Sequence, residues 1–307
     1  MSENLPVVSI VLCAYNGGQF IAEQLKSLEA QTYPNIEFIC SDNNSTDGTT
    51  AILETWCRNQ SKATFILQTN KGLNTNFFYA ADKATGSYII FCDQDDIWVP
   101  TKVAELVAFY HRHPSAGMVY CLSKSFTKNL PGNLLNTGPI KRIEGSNIRQ
   151  TMLISFTLGH NICIRKEVYN KLPKTYNEIV AYDWWITMGA MLCGGIKCLK
   201  KNLTYWRRHS ESTTDELNKG LFWQQRTGYL RVFLMHPLLS AEDKQWIEKA
   251  IAAFQDMKGK RFSFKLFAFL LSNANTIFFY KTKTTAISQW VSYIKWSAKM
   301  SRNSYRV

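Results

Sequence analysis

The run Tyr88-Ile89-Ile90-Phe91-Cys92, followed at once by Asp93, Asp95 and Asp96, constrains the fold of this 307-residue chain more than any other feature. Consecutive apolar residues of this kind read as a strand buried on both faces, the pattern of a parallel sheet covered by helices. The carboxylates that end it repel one another and resist leaving water. Crowded at a strand end, they point to a held cation. Hard oxygen donors suit Mg2+ or Mn2+, which keep part of their water shell and bridge to substrate phosphates. In open α/β sheets ligands bind beyond the carboxyl ends of the strands, so the acids also mark the functional edge.

The flanking sequence repeats the same alternation. Val7–Cys13 is a continuous apolar strand, and Gly17-Gly18 turn it into a helix carrying Ile21, Leu25 and Leu28 on one face. Ile36–Cys40 predicts a second strand. Ile52, Leu53 and Trp56 predict the next helix, with Ser45, Thr46 and Asp47 offered as caps. Thr64–Leu67 and Asn74–Ala84 predict a further strand and helix, and Thr101–His111 a helix after the acids. This order implies an α/β fold with a mostly parallel, Rossmann-like sheet flanked by helices. Beyond it the expected strands are Met118–Leu122, Phe156–Ile164, Ile196–Leu199 and Leu203–Trp206. A helix is expected at Val180–Leu192, a loop at Asn129–Gly138, and only helices after Ser210. Residues 1–115 and 116–215 read as two halves of one domain, and 216–307 as a helical, basic C-terminal extension.

A mean hydropathy of −0.19 with 46% hydrophobic residues is ordinary for a soluble globular protein. Eight cysteines stand singly, and the lack of any CxxC pair argues against zinc and dithiol chemistry. Free thiols fit a reducing compartment. The opening MSENLPVVSI has no basic stretch ahead of an apolar one, so no signal peptide is expected and the protein reads as cytoplasmic.

The net charge of +13 is unevenly spread: Met257–Val307 holds ten Lys and Arg and no acid, interleaved with Phe and Trp. No nucleic-acid motif accompanies them, so nucleic acid is not expected as a partner. Phe262–Tyr280 approaches the length of a membrane span, but Lys265, Ser272, Asn273, Asn275 and Thr276 interrupt it. Ala286–Met300 places Ile287, Trp290, Val291 and Ile294 on one helical face, with Lys295 and Lys299 elsewhere. An interfacial helix on an anionic membrane surface is expected there, peripheral on the inner face of the cytoplasmic membrane; the alternative is a helical cap packed on the catalytic domain with a solvated basic rim.

Three polar segments end strands: Ala14-Tyr15-Asn16, Ser41 through Gly48, and Asp93–Asp96. If those strands are parallel, all three line one edge. That edge suits a nucleotide, with polar loops for base and ribose and acids for a metal on the diphosphate. Neither GxGxxG nor GxxxxGK[ST] occurs, which argues against a dinucleotide cradle and a Walker phosphate loop.

VSIVLCAYNGG, SDNNSTDGT and GSYIIFCDQDDIW, in that order, resemble the family 2 glycosyltransferases over residues 6–210. These are inverting enzymes of the GT-A fold, and the DQDDIW variant is similar to the bacterial rhamnosyltransferase and O-antigen branch. The resemblance implies that residues 1–115 bind a nucleotide-sugar donor and 116–215 the acceptor. Ala14, Tyr15, Asn16, Asp42, Asn43, Asn76 and Asp95 would then contact the nucleotide. Asp96 would be the main metal ligand, with Asp95 and His209 beside it. Asn43 stands where relatives often carry Asp, and Thr75 where many carry Arg; Lys71 is a candidate replacement for that charge. Asp183, at a helix start, would be the general base on the acceptor hydroxyl, with Tyr182 in place of the usual preceding acid. His160, Trp184 and Trp185 would contact the acceptor, and Arg207 or Arg208 the diphosphate. A rhamnose donor, dTDP-rhamnose, and a polyprenyl-diphosphate-linked glycan acceptor follow from the same resemblance.

Two other readings compete. A sugar-1-phosphate nucleotidyltransferase needs a Gly-rich, Arg-containing loop after its first strand, which AYNGGQF does not supply. A non-enzymatic membrane or polyanion binder has no need of the acid run.

Overall fold

Val8–Ala14 is buried at every position, as its unbroken apolar run requires, and forms strand β1 inside a sheet. The computed structural model describes residues 5–69, 72–127, 142–174, 178–209, 221–281 and 283–305. They fall into two compact units, Met1–Ser146 with Thr157–His209, and Asn147–Phe156 with Ser210–Val307.

Among the described residues the first unit holds eight strands: β1, β2 (Ile36–Asp42), β3 (Ala63–Leu67), β4 (Tyr88–Cys92), β5 (Ile97–Trp98), β6 (Met118–Phe126), β7 (Ile162–Arg165) and β8 (Ile196–Arg207). Their order in the sheet is β3-β2-β1-β4-β7-β6-β8-β5. The first four are parallel, with Ala14 opposite Asp42 and Leu12 opposite Cys92. The polar segments after β1, β2 and β4 therefore do emerge along one edge. Helices α1 (Ile21–Glu29), α2 (Thr49–Arg58), α3 (Leu73–Asp82), α4 (Lys102–Arg112), α5 (Lys166–Lys171) and α6 (Tyr182–Leu192) complete the unit. Leu25, Leu28, Leu53, Val103 and Leu106 from the helices pack with Ile10, Leu12 and Ile90 of the sheet. Each such side chain contributes roughly 1.5–3 kcal/mol.

The sheet is mixed rather than parallel throughout. β7 runs antiparallel to both β4 and β6. The strand expected over Phe156–Ile164 is confined to its end, because one turn of 3-10 helix, Gly159–Asn161, precedes it. The two short strands expected at Ile196–Leu199 and Leu203–Trp206 are one twelve-residue β8, bulged against β6 near Leu122. The α2 cap also differs: Gly48, in the left-handed region at φ 93°, holds the N-cap position, while Asp47 accepts from the Thr49 N–H. The loop expected at Asn129–Gly138 and the candidate Lys71 lie outside the described residues.

The second unit is helical: α7 (Phe222–Leu234), α8 (Ala241–Gln255), α9 (Phe264–Ser272), α10 (Ala274–Ile277) and α11 (Ala286–Met300). Asn147–Phe156 belongs to it through Arg149, which bonds Glu242 and Asp243 at 2.7 and 3.0 Å, and through Phe156 against Phe279 and Tyr280. Phe262–Tyr280 is broken at Asn273. Its amide donates to the Phe269 carbonyl and accepts from the Trp246 indole, replacing helix bonding with side-chain bonding. Among the described residues no helix is long and apolar enough to cross a membrane.

Candidate active site

The parallel register delivers the site, and the loops that follow the strands are tied to one another. Asn16 N–H donates to Ser45 Oγ at 2.8 Å, Gly17 N–H to Thr49 Oγ1 at 2.8 Å, and Gly18 N–H to Asp47 Oδ2 at 2.8 Å. Gln94 clamps Tyr15 from the acid run, accepting from its N–H at 2.8 Å and donating to its carbonyl at 3.0 Å. Tyr15 is left half exposed above this network, and Ala14 is buried beneath it.

Three of the residues expected at the nucleotide lie deeper. Asp42 is fully buried and already accepts three bonds, from Ser45 N–H at 3.0 Å, Ser45 Oγ at 2.5 Å and Thr50 Oγ1 at 2.7 Å. Asn76 is buried and accepts from Ser41 Oγ at 2.5 Å, and Asn43 is buried beside Asp42 in sequence. In this structure the Asp42 carboxylate shapes the loop from below.

The acid run splits into two groups. Asp96 is fully buried; its Oδ1 accepts from the Arg207 N–H at 3.1 Å and its Oδ2 lies 3.0 Å from His160 Nδ1. His160 Nδ1 also lies 3.3 Å from Asp93 Oδ2. Asp93, Asp96 and His160 therefore offer three donor atoms within 4.8 Å of one another. Asp95 turns the other way and meets His209 Nε2 at 2.8 Å. Their side chains keep 20% and 16% of their surface open to solvent, against 37% for Asp93, none for Asp96 and 3% for His160. The histidine expected at the acceptor thus sits among the acids. Its signal was the Gly-His-Asn break in an otherwise apolar run.

Electrostatics support a cation at this edge. Burial, then Asp96 and Asp93, push Asp95 up to about 6, with His209 opposing. Burial disfavours a charged His160, but Asp96 and Asp93 outweigh it and raise it to about 10. Apart from its ion-pair contact, Asp96 Oδ2 is buried without a hydrogen-bond partner, and so is His209 Nδ1. The clustered carboxylate oxygens and imidazole nitrogens offer a divalent cation hard donors at this edge.

One basic residue holds the run in place, and a second holds His160. Arg207 bonds the Asp95 carbonyl at 2.9 Å and Glu23 at 2.5 Å while stacking on Phe20 and Phe126. Its guanidinium is thus committed to positioning the run, where the sequence suggested a phosphate contact; Arg208 stacks on Trp206. Lys102, unnoticed in the sequence, is fully buried. Its Nζ donates to the His160 carbonyl at 2.6 Å and to Thr204 Oγ1 at 2.8 Å, and sits 3.4 Å from the centre of the Trp98 ring. Burial lowers its pKa. The only available signal was a lysine four residues past the IW that ends the motif.

Asp183 lies in the first turn of α6, where the helix dipole favours negative charge. Its Oδ1 accepts from the Trp184 N–H at 2.7 Å. Burial nevertheless raises it to about 6; Asp93 adds to the rise, and the Trp184 and Gly159 N–H groups oppose it. Gly159 thus bonds Asp183 while its neighbour His160 touches Asp93 and Asp96. The preceding Tyr182 reaches Asp93 Oδ1 with its hydroxyl at 3.5 Å and stacks on Phe77. Asn74 fixes the start of α6 by accepting from the Tyr182 N–H at 2.8 Å, and Glu178 covers the first N–H groups of α3. Trp184 and Trp185 are buried at 6% and 3% exposure, and Trp185 donates to the Pro173 carbonyl. Neither presents an open ring face.

Gly159 is indispensable to this arrangement. A Cβ there would lie 1.9 Å from the Tyr182 hydroxyl. Gly159→Ala is expected to displace that ring, costing about 1–3 kcal/mol of stability, and to lower activity. Adding Tyr182→Phe should restore part of the melting temperature, because it removes the clashing oxygen. Thermal unfolding of the single and double variants measures both effects.

An α/β sheet that gathers polar loops and an acid run at its parallel strand ends, with further carboxylate chemistry at a nearby helix start, has the architecture of the GT-A glycosyltransferases. The Glycosyl transferase family 2 profile matches residues 9–173 of the 307, and the chain belongs to that family. EpsE of Bacillus subtilis (strain 168), named as a glycosyltransferase, is 36% identical over 110 residues, which is 35% of this chain and 40% of that protein. An uncharacterized glycosyltransferase of Nostoc is 28% identical over 66% of this chain and 65% of its own. The chain thus spans less than two thirds of either relative. WfaP of Escherichia coli, a UDP-Glc:alpha-D-GlcNAc-diphosphoundecaprenol beta-1,3-glucosyltransferase, is 29% identical over 72% of this chain and 84% of that protein. Among solved structures, S. aureus TarS 1–349 in complex with UDP-GlcNAc is similar in fold, with a TM-score of 0.59 at 20% identity over 96% of this chain and 81% of that one.

Proposed function

We propose that this family 2 glycosyltransferase inverts the anomeric centre of a nucleoside-diphosphate sugar and delivers it to a hydroxyl of a polyprenyl-diphosphate-linked glycan. The observation that carries the reading is the Gly159-His160 step, which couples Asp183 to the acid run through adjacent residues. Asp183 takes the proton from the acceptor hydroxyl, and the freed oxygen attacks C1. The bond from C1 to the diphosphate breaks, and its electron pair leaves with the diphosphate. A single displacement of this kind inverts the centre. A carboxylate raised to about 6 is ionised at neutral pH yet more basic than an ordinary aspartate, which suits it to this task.

A divalent cation at the acid run would neutralise charge on the departing diphosphate. Asp95 and His209 would hold it, because both are partly open to solvent and a cation that meets a diphosphate needs open positions. Asp93, whose side chain is 37% exposed, would offer a further open oxygen, and the enclosed Asp96 and His160 would back the site. Tyr15 and Asn16 line the base side of the edge, with Asp42, Asn43 and Asn76 supporting it from below. His160 supports Asp183 through Gly159 in this reading, and Trp184 and Trp185 support the acceptor side through packing.

The lipid-linked acceptor is supported by the diphosphoundecaprenol substrate in WfaP's name. For the donor, dTDP-rhamnose is the first candidate from the sequence motif, while WfaP and the TarS complex carry UDP sugars. Thermal stabilisation by a panel of nucleotide sugars with Mn2+ tests this. A cognate donor at about 100 times its Kd should add roughly 2.7 kcal/mol. A panel in which dTDP-rhamnose gives no shift and a UDP sugar does would replace the donor. No shift by any nucleotide sugar would count against the transferase reading as a whole. The nucleotidyltransferase and non-enzymatic alternatives are not favoured by the family match.

A further inference from the structure

Helix α11 is amphipathic with its apolar side facing out. Ile287, Trp290, Val291 and Ile294 are 79%, 56%, 59% and 47% exposed. Their spacing puts them on one stripe of a helix. The opposite side, Ser292, Tyr293, Ser297 and Met300, is the buried one. Tyr293, which packs on Phe278, and Met300 anchor that buried side, so the exposed stripe is a second apolar face and needs a partner of its own. The helix does not require that partner to form, because Thr285 and Ser288 close a capping box at its start. A further large apolar residue of the same unit, Phe264 at the start of α9, is 80% exposed.

Charge identifies the partner. Lys295, one turn past Val291, borders the stripe and is exposed, as are Lys283 just ahead of the helix and Lys299 near its end. Lys299 and Lys281 lie over the Trp296 ring at 4.9 and 3.7 Å. Met257–Val307 contains no acid to offset them. We infer that the exposed apolar stripe of α11, with its lysine border, docks the protein peripherally on an anionic lipid bilayer. Apolar side chains enter the acyl boundary while the ammonium groups meet lipid phosphates, the usual division of labour in an interfacial helix. This goes beyond the transferase reading and does not depend on it.

The test is co-sedimentation of the full chain with vesicles of pure phosphatidylglycerol and of pure phosphatidylcholine. Wild type should partition onto the first and only weakly onto the second. Ile287→Glu with Trp290→Glu and Ile294→Glu changes exposed positions only, so folding should survive, as circular dichroism checks. That variant should lose about tenfold in partitioning. Lys283→Glu with Lys295→Glu should weaken binding to phosphatidylglycerol and reduce its salt sensitivity. Donor hydrolysis by the triple variant should match wild type, which separates this inference from the assigned chemistry. Wild type that ignores phosphatidylglycerol vesicles, or a triple variant that binds them equally, overturns the inference. So does a lipid-free dimer that the triple variant converts to monomer without any lipid binding, since the stripe would then belong to a second copy.

Discussion

Asp183→Asn is expected to lower kcat by roughly 10²–10⁴-fold, the usual worth of a positioned base, with donor affinity little changed. The amide keeps the size of the side chain and still accepts from the Trp184 N–H, but it cannot take a proton. Below about pH 6 the wild-type carboxyl holds its proton, so kcat should fall as pH drops through that value. The Asn variant should lack this limb. The stability effect has the opposite sense. A folded-state value raised to about 6 means the folded protein binds the proton more tightly than the unfolded chain does. Stability from this group is therefore lost as pH rises from the ordinary aspartate range to about 6, and stays lost above it. The Asn variant carries no such charge, and at neutral pH its melting temperature should be no lower than wild type's. Retention of more than about a tenth of wild-type kcat would remove Asp183 from the role of base.

Asp95→Asn should abolish divalent-cation-dependent transfer, and excess chelator should do the same to wild type. The variant should lose Mn2+ binding, measured by calorimetry, while its melting temperature changes little, because Asp95 keeps part of its side chain open to solvent and its charged form is already disfavoured, burial and then Asp96 and Asp93 raising it to about 6. His209→Ala should weaken Mn2+ binding in the same direction. Asp96→Asn is a different experiment: Asp96 is fully buried and accepts the Arg207 N–H, so that variant reports on folding as well as on the cation. His160→Ala should lower stability and leave Mn2+ binding largely in place. If instead His160→Ala removed Mn2+ binding and Asp95→Asn kept it, the cation would belong to the Asp93, Asp96 and His160 group.

The interlock around His160 ties the acid run to structure outside the motifs. Lys102 from α4 holds the His160 carbonyl, and Arg207 from β8 holds the acid run through Asp95 and Asp96. Each is a buried cation beside buried acids, where losing one partner leaves the other uncompensated.

The sequence by itself determined the parallel half of the sheet. The apolar runs before Ala14, Asp42 and Asp93 are long enough to be buried strands, and right-handed βαβ connections leave few ways to arrange them. It also determined α11, whose bounds Ala286–Met300 and apolar stripe were both legible from periodicity. Tertiary structure alone decided what faces what. Periodicity shows that a helix has an apolar face but not whether anything covers it, and only the packing of Ser292, Ser297 and Met300 inward turned that face out. The antiparallel β7, the turn that carries His160 to Asp93 and Asp96, and the burial of Lys102 all depend on contacts between residues far apart in the chain. No local pattern encodes such pairings, because their energy arises only when the sheet and its helices close on one another.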